Sequence, residues 1–552
     1  MPASSVTLPH RFASLSLIVF LIFSSLALGV AQIFLDNSVI TSVGSLRVVT
    51  VELLFSMAVL CDRRVTLPTL GAVPRSIRVL AFGWFLWSGC AVLLSHNVAV
   101  ALVRQIEWLA HGLFVLCLCG ILNAYPDWRT KLLKYLVTGF VVYATFNCVM
   151  LGLYAPADYP WSQAMLGIGN IRHFGYYAAV ALVAAYAPLL GKGRKTLYKP
   201  ETLILLTALW GVLCWSGSRG SVFAVLGALA VMTVLRLIPT ASKIWGVTAV
   251  TAITGGLISI PFTPSDRSLG ALRLFWTLAD SDSLNQYSAG RLTVWLDALH
   301  RVLQHPWFGI GPNQFALASD KPVYWIIQPH NVILQAALEW GIPGAIAFFV
   351  VIAVILRQAM ATTRREDSGP IYVAMWLLVM LLAQAMIDGT LYHNLPVFVF
   401  AAAAALTLAP AAERLSAPSK AVTTIGWSVT GLTSVTVALT GLSFWSCFST
   451  GVPKPTGLRP QVVRHFPAVL ANMDSSRYLE HWAVSWRQAG HEDAANDWLL
   501  WTEKHSRTPW TSMALMADWL IETGNEKAGD KLRMQAAQLV PPDWKPPPLV
   551  TR

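Results

Sequence analysis

Between Pro200 and Leu237 the chain reads PETLILLTALWGVLCWSGSRGSVFAVLGALAVMTVLRL. Two apolar runs, each near the ~20 residues that carry a helix across a bilayer, meet at the short polar turn Ser216-Gly217-Ser218-Arg219-Gly220. No charge interrupts the first run after Glu201, and none interrupts the second between Arg219 and Arg236.

The same pattern extends in both directions. Runs able to span a membrane lie near 14–35, 39–60, 77–95, 98–122, 132–154, 173–190, 200–216, 219–237, 241–261, 342–358, 370–388, 394–412 and 423–446. Composition agrees. Of 552 residues, 55% are hydrophobic and 12% are charged, with a mean hydropathy of +0.55. A soluble domain carries about 25% charge. Half of that cannot cover a water-soluble body of this size, which excludes a cytosolic enzyme, a disordered chain and a fibrous protein. The expected fold is all-α, a polytopic membrane helical bundle of about 12–13 spans. Seven cysteines are too few for a disulfide scaffold. The first run is followed at once by a second and is too long for a cleaved signal h-region, so it reads as a retained signal anchor.

Basic residues give the orientation. Arg11 precedes the first run. Arg63, Arg64, Arg75 and Arg78 fill the second connection, and Arg129, Lys131 and Lys134 the fourth. Lys192, Arg194, Lys195 and Lys199 fill the sixth, and Arg236 and Lys243 the eighth. Arg357, Arg364 and Arg365 follow the tenth run, and Arg414 and Lys420 the twelfth. The net charge of +12 therefore reads first as topology, not as nucleic-acid binding. The positive-inside rule places the even connections in the cytoplasm of a bacterial inner membrane, and the odd connections and the C-terminus in the periplasm. The expected organisation is N-terminal spans over 1–261, a large periplasmic loop over 262–341, C-terminal spans over 342–449 and a periplasmic tail over 450–552.

The tail contains an internal repeat. HWAVSWRQAG-HEDAANDWLL from His481 matches LMADWLIETG-NEKAGDKLRM from Leu515. Ala483 pairs with Ala517, Gly490 with Gly524, Glu492 with Glu526, Ala494 with Ala528 and Trp510 with Trp544. The spacing is that of a tetratricopeptide helix pair. Two copies alone are marginal, so this tetratricopeptide-like domain is expected to pack on the membrane body or on a protein partner.

Unusual polar residues cluster on the outward side. The fifth connection carries Gly169-Asn170-Ile171-Arg172-His173-Phe174-Gly175, and the seventh carries Arg219. The large loop carries Gly290-Arg291, Trp295, His305-Pro306-Trp307-Phe308-Gly309-Ile310-Gly311-Pro312-Asn313-Gln314-Phe315, His330-Asn331 and Glu339-Trp340-Gly341. The eleventh carries Asp388-Gly389-Thr390-Leu391-Tyr392-His393-Asn394. Arg172, Arg219 and Arg291 break the sidedness rule. Guanidinium forks pair with phosphate through charge-assisted bonds, so several at a membrane surface can hold a lipid-linked diphosphate. His330 suits a general base, with Glu339 nine residues on. Asp280-Ser281-Asp282 has the form of a metal–nucleotide-sugar motif but reads as a solvated turn, and no metal site is expected.

Together these residues resemble the O-antigen ligase and polymerase superfamily. The resemblance rests on Ser216–Gly220, on Gly290-Arg291-x3-Trp295, on His305-Pro306-x2-Gly309-Ile310-Gly311-Pro312-Asn313-x-Phe315, and on His330-Asn331-x2-Leu334-x4-Glu339-x-Gly341-x2-Gly344. It implies a metal-independent, inverting glycosyltransferase of the GT-C type with no cofactor. The donor would be a glycan on undecaprenyl diphosphate, and the acceptor lipid A–core, a growing polysaccharide or a protein. Arg219 and Arg291 would hold the diphosphate, with Arg172 a further candidate, and His330 would act on the acceptor hydroxyl. Glu339, Asn331, Asp388 and His393 would support them. The chemistry is coherent, because a membrane-anchored diphosphate leaving group needs cations and a base but no nucleotide fold. The favoured reading is ligation to lipid A–core. A flippase of lipid-linked sugars is the alternative of another class, but it would place its charges inside the bundle.

Overall fold

In the computed structural model the residues described are 8–34, 37–62, 75–155, 165–168, 170–190, 199–238, 240–263, 270–271, 273, 283, 285, 288, 290–318, 320–323, 326–365, 368–412, 420–449, 451–471 and 475–540. Among them the fold is helical throughout, with no sheet. Each of the thirteen apolar runs falls on a helix. These are α1 (Leu8–Phe34), α2 (Asn37–Cys61), α3 (Arg75–Leu93), α4 (Val98–Ala124), α5 (Trp128–Tyr154), α6 (Ile171–Ala185), α7 (Pro200–Trp215), α8 (Arg219–Val234) and α9 (Ala241–Ser259). The large loop contributes α10 (Arg291–Gln304) and α11 (Gln314–Leu317). Then come α12 (Val332–Arg365), α13 (Gly369–Ala385), α14 (Asn394–Leu408) and α15 (Lys420–Phe448). Six helical stretches are long and apolar enough to cross a membrane, and five shorter apolar helices accompany them. The protein is an all-α polytopic membrane protein.

The chain forms two compact units, each assembled from separate stretches. The first comprises 1–83, 107–287 and 347–434. At its centre are α6 and α13, buried on every side. Phe174 to Ala185 has no exposed face, nor has Ile371 to Leu378. A helix apolar all round belongs in the middle of a bundle, and the small Ala178, Ala179, Ala181, Ala184 and Ala185 of α6 let neighbours approach closely. Trp376 ties α13 to α8 by donating to Val225 O at 3.1 Å. Tyr186 accepts from Trp210 at 3.1 Å and shares a 2.9 Å bond with Thr248, joining the end of α6 to α7 and α9. The expected span over 173–190 is cut short at Ala185, because Pro188 starts a 3₁₀ turn over Ala187–Leu189.

The second unit comprises 84–106, 288–346 and 435–552. Its tail adds α16 (Leu458–His465), α17 (Ser475–Gln488), α18 (Glu492–His505), α19 (Pro509–Glu522) and α20 (Glu526–Leu539). The bounds of α19 and α20 stand 34 residues after those of α17 and α18. Ala483 and Ala517 are both fully buried, and Gly490 and Gly524 both turn at φ near +80°, at 83° and 85°. The core of the tail is aromatic. Trp482, Trp486 and Trp498 lie 5.5–6.3 Å apart, and Trp498 donates to Leu479 O at 3.0 Å. Arg459 and Arg464 lie over the rings of Trp482 and Trp498. Leu317 of α11 packs against this core, so within the unit the tail is anchored to the loop region. Trp544, the repeat partner of Trp510, lies outside the described residues.

Candidate functional site

In the first unit the connections before α6, before α8 and before α14 converge. Asn170 caps α6, its Oδ1 accepting the Arg172 N–H at 2.8 Å. Arg172 and His173 follow on the first turn, both half-buried. The turn before α8 packs directly on α6. A methyl group at Gly175 would stand 2.4 Å from Ser218 Cβ, so only glycine admits that contact. The turn is held by hydroxyls. Ser216 Oγ donates to Leu213 O at 2.6 Å and accepts the Ser218 N–H at 3.2 Å. Ser218 and Ser221 share a 2.8 Å bond, and Gln384 of α13 donates to Ser221 at 2.7 Å. The eleventh connection closes the group, with His173 and His393 rings 4.1 Å apart and Tyr176 beside them. Asp388 is buried and turned inward on its own segment, its Oδ1 accepting the Gly389 N–H at 2.9 Å.

In the second unit the long motif of the loop is explained by a kink. Helix α12 is broken at Gly341, with φ 70° and ψ 174°. That conformation is essentially confined to glycine. In an unbroken helix the Ile342 N–H would donate to Leu338 O. Here Ile342 N–H donates to Pro306 O at 2.8 Å, and Leu338 O accepts from Ile310 N–H at 2.7 Å. The His305–Pro312 segment thus occupies the broken turn. The fit is tight enough that a Cβ at Gly309 would lie 2.2 Å from Leu338 O, and one at Gly341 would lie 1.9 Å from Trp307 O. Trp87 stacks on Phe308 at 4.6 Å and donates to Trp340 O at 3.0 Å.

Glu339 is buried and accepts the Asn313 N–H at 3.2 Å and the Gln335 side-chain amide. Asn331 caps α12, its Oδ1 accepting the Ile333 and Leu334 N–H groups at 3.0 and 3.1 Å. His330 precedes this cap, half-buried, with a left-handed φ of 52°. Asn331 thus caps the helix that follows His330, and Glu339 ties that helix to the Asn313 backbone.

Arg172, Arg219 and Arg291 share one feature. Arg172 is the second residue of α6, Arg219 the first of α8 and Arg291 the first of α10. None of these helices has an acidic residue in its first turn. A helix N-terminus carries about half a positive charge, so a cation there is misplaced by roughly 0.3–1 kcal/mol unless an anion answers both. Arg172 and Arg219 belong to the first unit, and Arg291 and His330 to the second. Asp280 and Asp282 lie outside the described residues, and among those described no group of three or more His, Cys, Asp or Glu could hold a metal.

Several polar ties escape a reading of the sequence. Gln314 pairs with the backbone of Asn97, accepting its N–H at 2.9 Å and donating to its O at 3.1 Å. His173 reaches His393 across 220 positions, beyond any local pattern. In the membrane body, buried Glu52 of α2 meets His111 of α4 at 2.7 Å, while His111 Nε2 is buried without a hydrogen-bond partner. One acid and one imidazole in two apolar runs are visible singly, but their pairing is not.

A family model described as O-antigen ligase matches residues 203–349. An O-antigen ligase from Pseudomonas aeruginosa is 25% identical over an alignment of 277 residues that covers 47% of this chain and 65% of that protein. The chain thus spans less than two thirds of that relative. The matched region holds Arg219, Arg291, His330 and Glu339, and leaves Arg172, Asp388, His393 and the tail outside it. The match over residues 203–349 to the model described as O-antigen ligase contains the Ser216–Gly220 and Gly290–Gly344 motifs, and it supports the O-antigen ligase and polymerase superfamily that they resemble.

Proposed function

We propose that this protein is a glycosyltransferase that moves a glycan from undecaprenyl diphosphate to an acceptor hydroxyl at the periplasmic face of the inner membrane, as an O-antigen ligase acting on lipid A–core. The observation that carries this reading is the placement of Arg172, Arg219 and Arg291 at helix starts without first-turn acids. Arg219 and Arg291 hold the donor diphosphate, and Arg172 adds positive field. His330 takes the acceptor hydroxyl proton, the oxygen attacks the anomeric carbon, and the bond to the diphosphate breaks. The leaving undecaprenyl diphosphate keeps the bonding electrons, and one displacement inverts the anomeric centre. Cations facing the departing oxygens stabilise charge where it develops, with no metal required. A match to a ligase domain over 203–349 supports the reaction class. A protein acceptor is the second reading, favoured by the two helix pairs of the tail.

The test is transfer from purified lipid-linked donor over a range of pH. His330→Ala should cost 10²–10⁴-fold, the order expected for a positioned base. His330→Gln can hydrogen-bond the acceptor but cannot take its proton, so it should be nearly as slow. If Gln equals His, the residue positions the acceptor; if Ala also equals His, the base lies elsewhere and His393 is next to be tried. Transfer should survive a chelator, and loss restored by magnesium or manganese would implicate Asp280 and Asp282. A periplasm-dependent reporter should be silent after Arg365 and active near residue 455. The reverse would place His330 in the cytoplasm and overturn the reading.

A further inference from the structure

Lys321 is the one lysine in the sequence of the loop and is only 3% exposed. Its Nζ donates to Phe315 O at 2.9 Å and to Ile326 O at 2.6 Å, and it lies over the Phe315 ring at 5.0 Å. Around it stand Arg301, Asp297, Asp320 and the tail's Arg507. Arg301 is held by Asp297 at 3.0 Å and Asp320 at 2.9 Å. Desolvation, with Arg507 and Arg301 adding to it, pushes the Lys321 amine well below the ordinary lysine range.

The Lys321 contacts close a ring. From Asn331, the cap of α12, the helix runs to Glu339, which holds the Asn313 N–H. Two residues on, Phe315 O meets Lys321 Nζ, which reaches across to Ile326 O. Ile326, Gln328 and Pro329 are buried, and the chain then returns to His330 and Asn331. One side of the ring is thereby anchored to α12 through Glu339. The other, leading into His330, is tied back to it by Lys321.

We propose that Lys321 is the positioning residue for His330, fixing the Ile326–Asn331 segment at the head of α12 by joining the two sides of this ring. The inference rests on His330 acting on the acceptor, and its failure can be told from failure of that reading. Lys321 touches no substrate and acts through the backbone that carries the imidazole.

The experiment is a double-mutant cycle in the full-length protein with purified lipid-linked donor. Lys321→Met removes both bonds together with an unfavourably buried amine, so the protein should still insert and melt near wild type. Its kcat should fall about 10²-fold, the effect of displacing a reacting group by about an ångström, with the donor KM within twofold. Lys321→Gln can keep one of the two bonds and should fall between. In a His330→Ala background, Lys321→Met should cost no further factor, because the group it positions is gone. Hydrogen exchange at Ile333 and Leu334, whose amides the Asn331 cap holds, should quicken in Lys321→Met and Lys321→Gln. Equal losses from Lys321→Met in both backgrounds would make the lysine merely structural and overturn the proposal. So would wild-type kcat with unchanged exchange in Lys321→Gln. Wild-type transfer by His330→Ala alone would instead sink the functional reading beneath it.

Discussion

Arg219 in the first unit and Arg291 in the second each open a helix, yet their surroundings are built in opposite ways. Around Arg219 the turn is short and its polar groups are answered by side chains, through Ser216, Ser218, Ser221 and Gln384. Beyond Arg291 the loop is long, and its main tie is backbone to backbone, the His305–Pro312 segment bonded into the break at Gly341. The difference follows from solvent. Between two membrane helices, unsatisfied backbone groups are costly, so the connection is kept minimal and hydroxyls complete it. In the larger loop a helix break frees a donor and an acceptor, and those become fixed points for another segment.

The comparison breaks most completely at Gly341. Gly341→Ala puts a Cβ 1.9 Å from a backbone oxygen and forces alanine into a glycine-only conformation. The expected cost is about 4 kcal/mol or more, seen as loss of folded protein in detergent by thermal melting and size exclusion. Normal melting would mean that the loop does not occupy the break.

Next in size is the loss of an arginine fork. Arg291→Lys and Arg219→Ala should each lower transfer by on the order of 10²-fold, since a charge-assisted bond contributes roughly 1.5–3 kcal/mol, while insertion stays normal. If both variants transfer at the wild-type rate, the diphosphate is held elsewhere. An effect in one alone would show that the two regions are unequal partners.

A smaller effect is expected where side chains do the packing. Gly175→Ala brings a Cβ to 2.4 Å from Ser218 Cβ, at an overpacking cost of about 1–3 kcal/mol, part of which alanine's helix propensity offsets by about 1 kcal/mol. Ser218→Gly in the same chain should restore melting. Absence of rescue would show that the strain falls on another neighbour.

The tail provides a test by pH. Between α17 and α19, Glu480 accepts from Thr511 and Ser512, and burial raises its pKa from 4.5 to about 7. A carboxyl with a raised folded-state pKa gives stability that is present below its unfolded pKa and lost as pH rises through the folded one. The window is therefore pH 4.5 to about 7. The loss above it is about 3 kcal/mol as an upper bound, at 1.36 kcal/mol per unit. Protection factors over 475–522 in the full chain, taken relative to the intrinsic exchange rate at each pH, should fall between pH 5 and 8. Glu480→Gln should flatten that response, and an unchanged response would place the titrating group elsewhere.

Much of the architecture was legible because bilayer helices leave a strong, local signal. Length and apolarity alone located thirteen helices, and a repeat of 34 residues foretold two helix pairs with matching bounds. Where the reading slipped, a local cause is visible, as with Pro188 ending α6 early. The region 262–341, read as one loop, closes with ten residues of α12, because the apolar run seen from 342 continues a helix that starts at Val332 and is broken by Gly341.

The residue types of the candidate site were equally plain in the sequence. Arginine where the sidedness rule forbids it, and histidine beside asparagine at a helix start, are properties of single positions. What each residue does locally was decided by tertiary structure. Glu339 stands nine residues from His330, and only the fold shows that its carboxylate accepts the Asn313 N–H and that Asp388 accepts the N–H of Gly389. The glycines of the Gly309–Gly344 motif carry no chemistry that a sequence can show. Their need arises only when a second segment lies within 2.2 Å of a would-be Cβ. Lys321 looks like any loop lysine until Phe315 and Ile326 enclose it. Periodicity and sidedness are written residue by residue. Contacts between distant segments depend on backbone paths that no local pattern encodes.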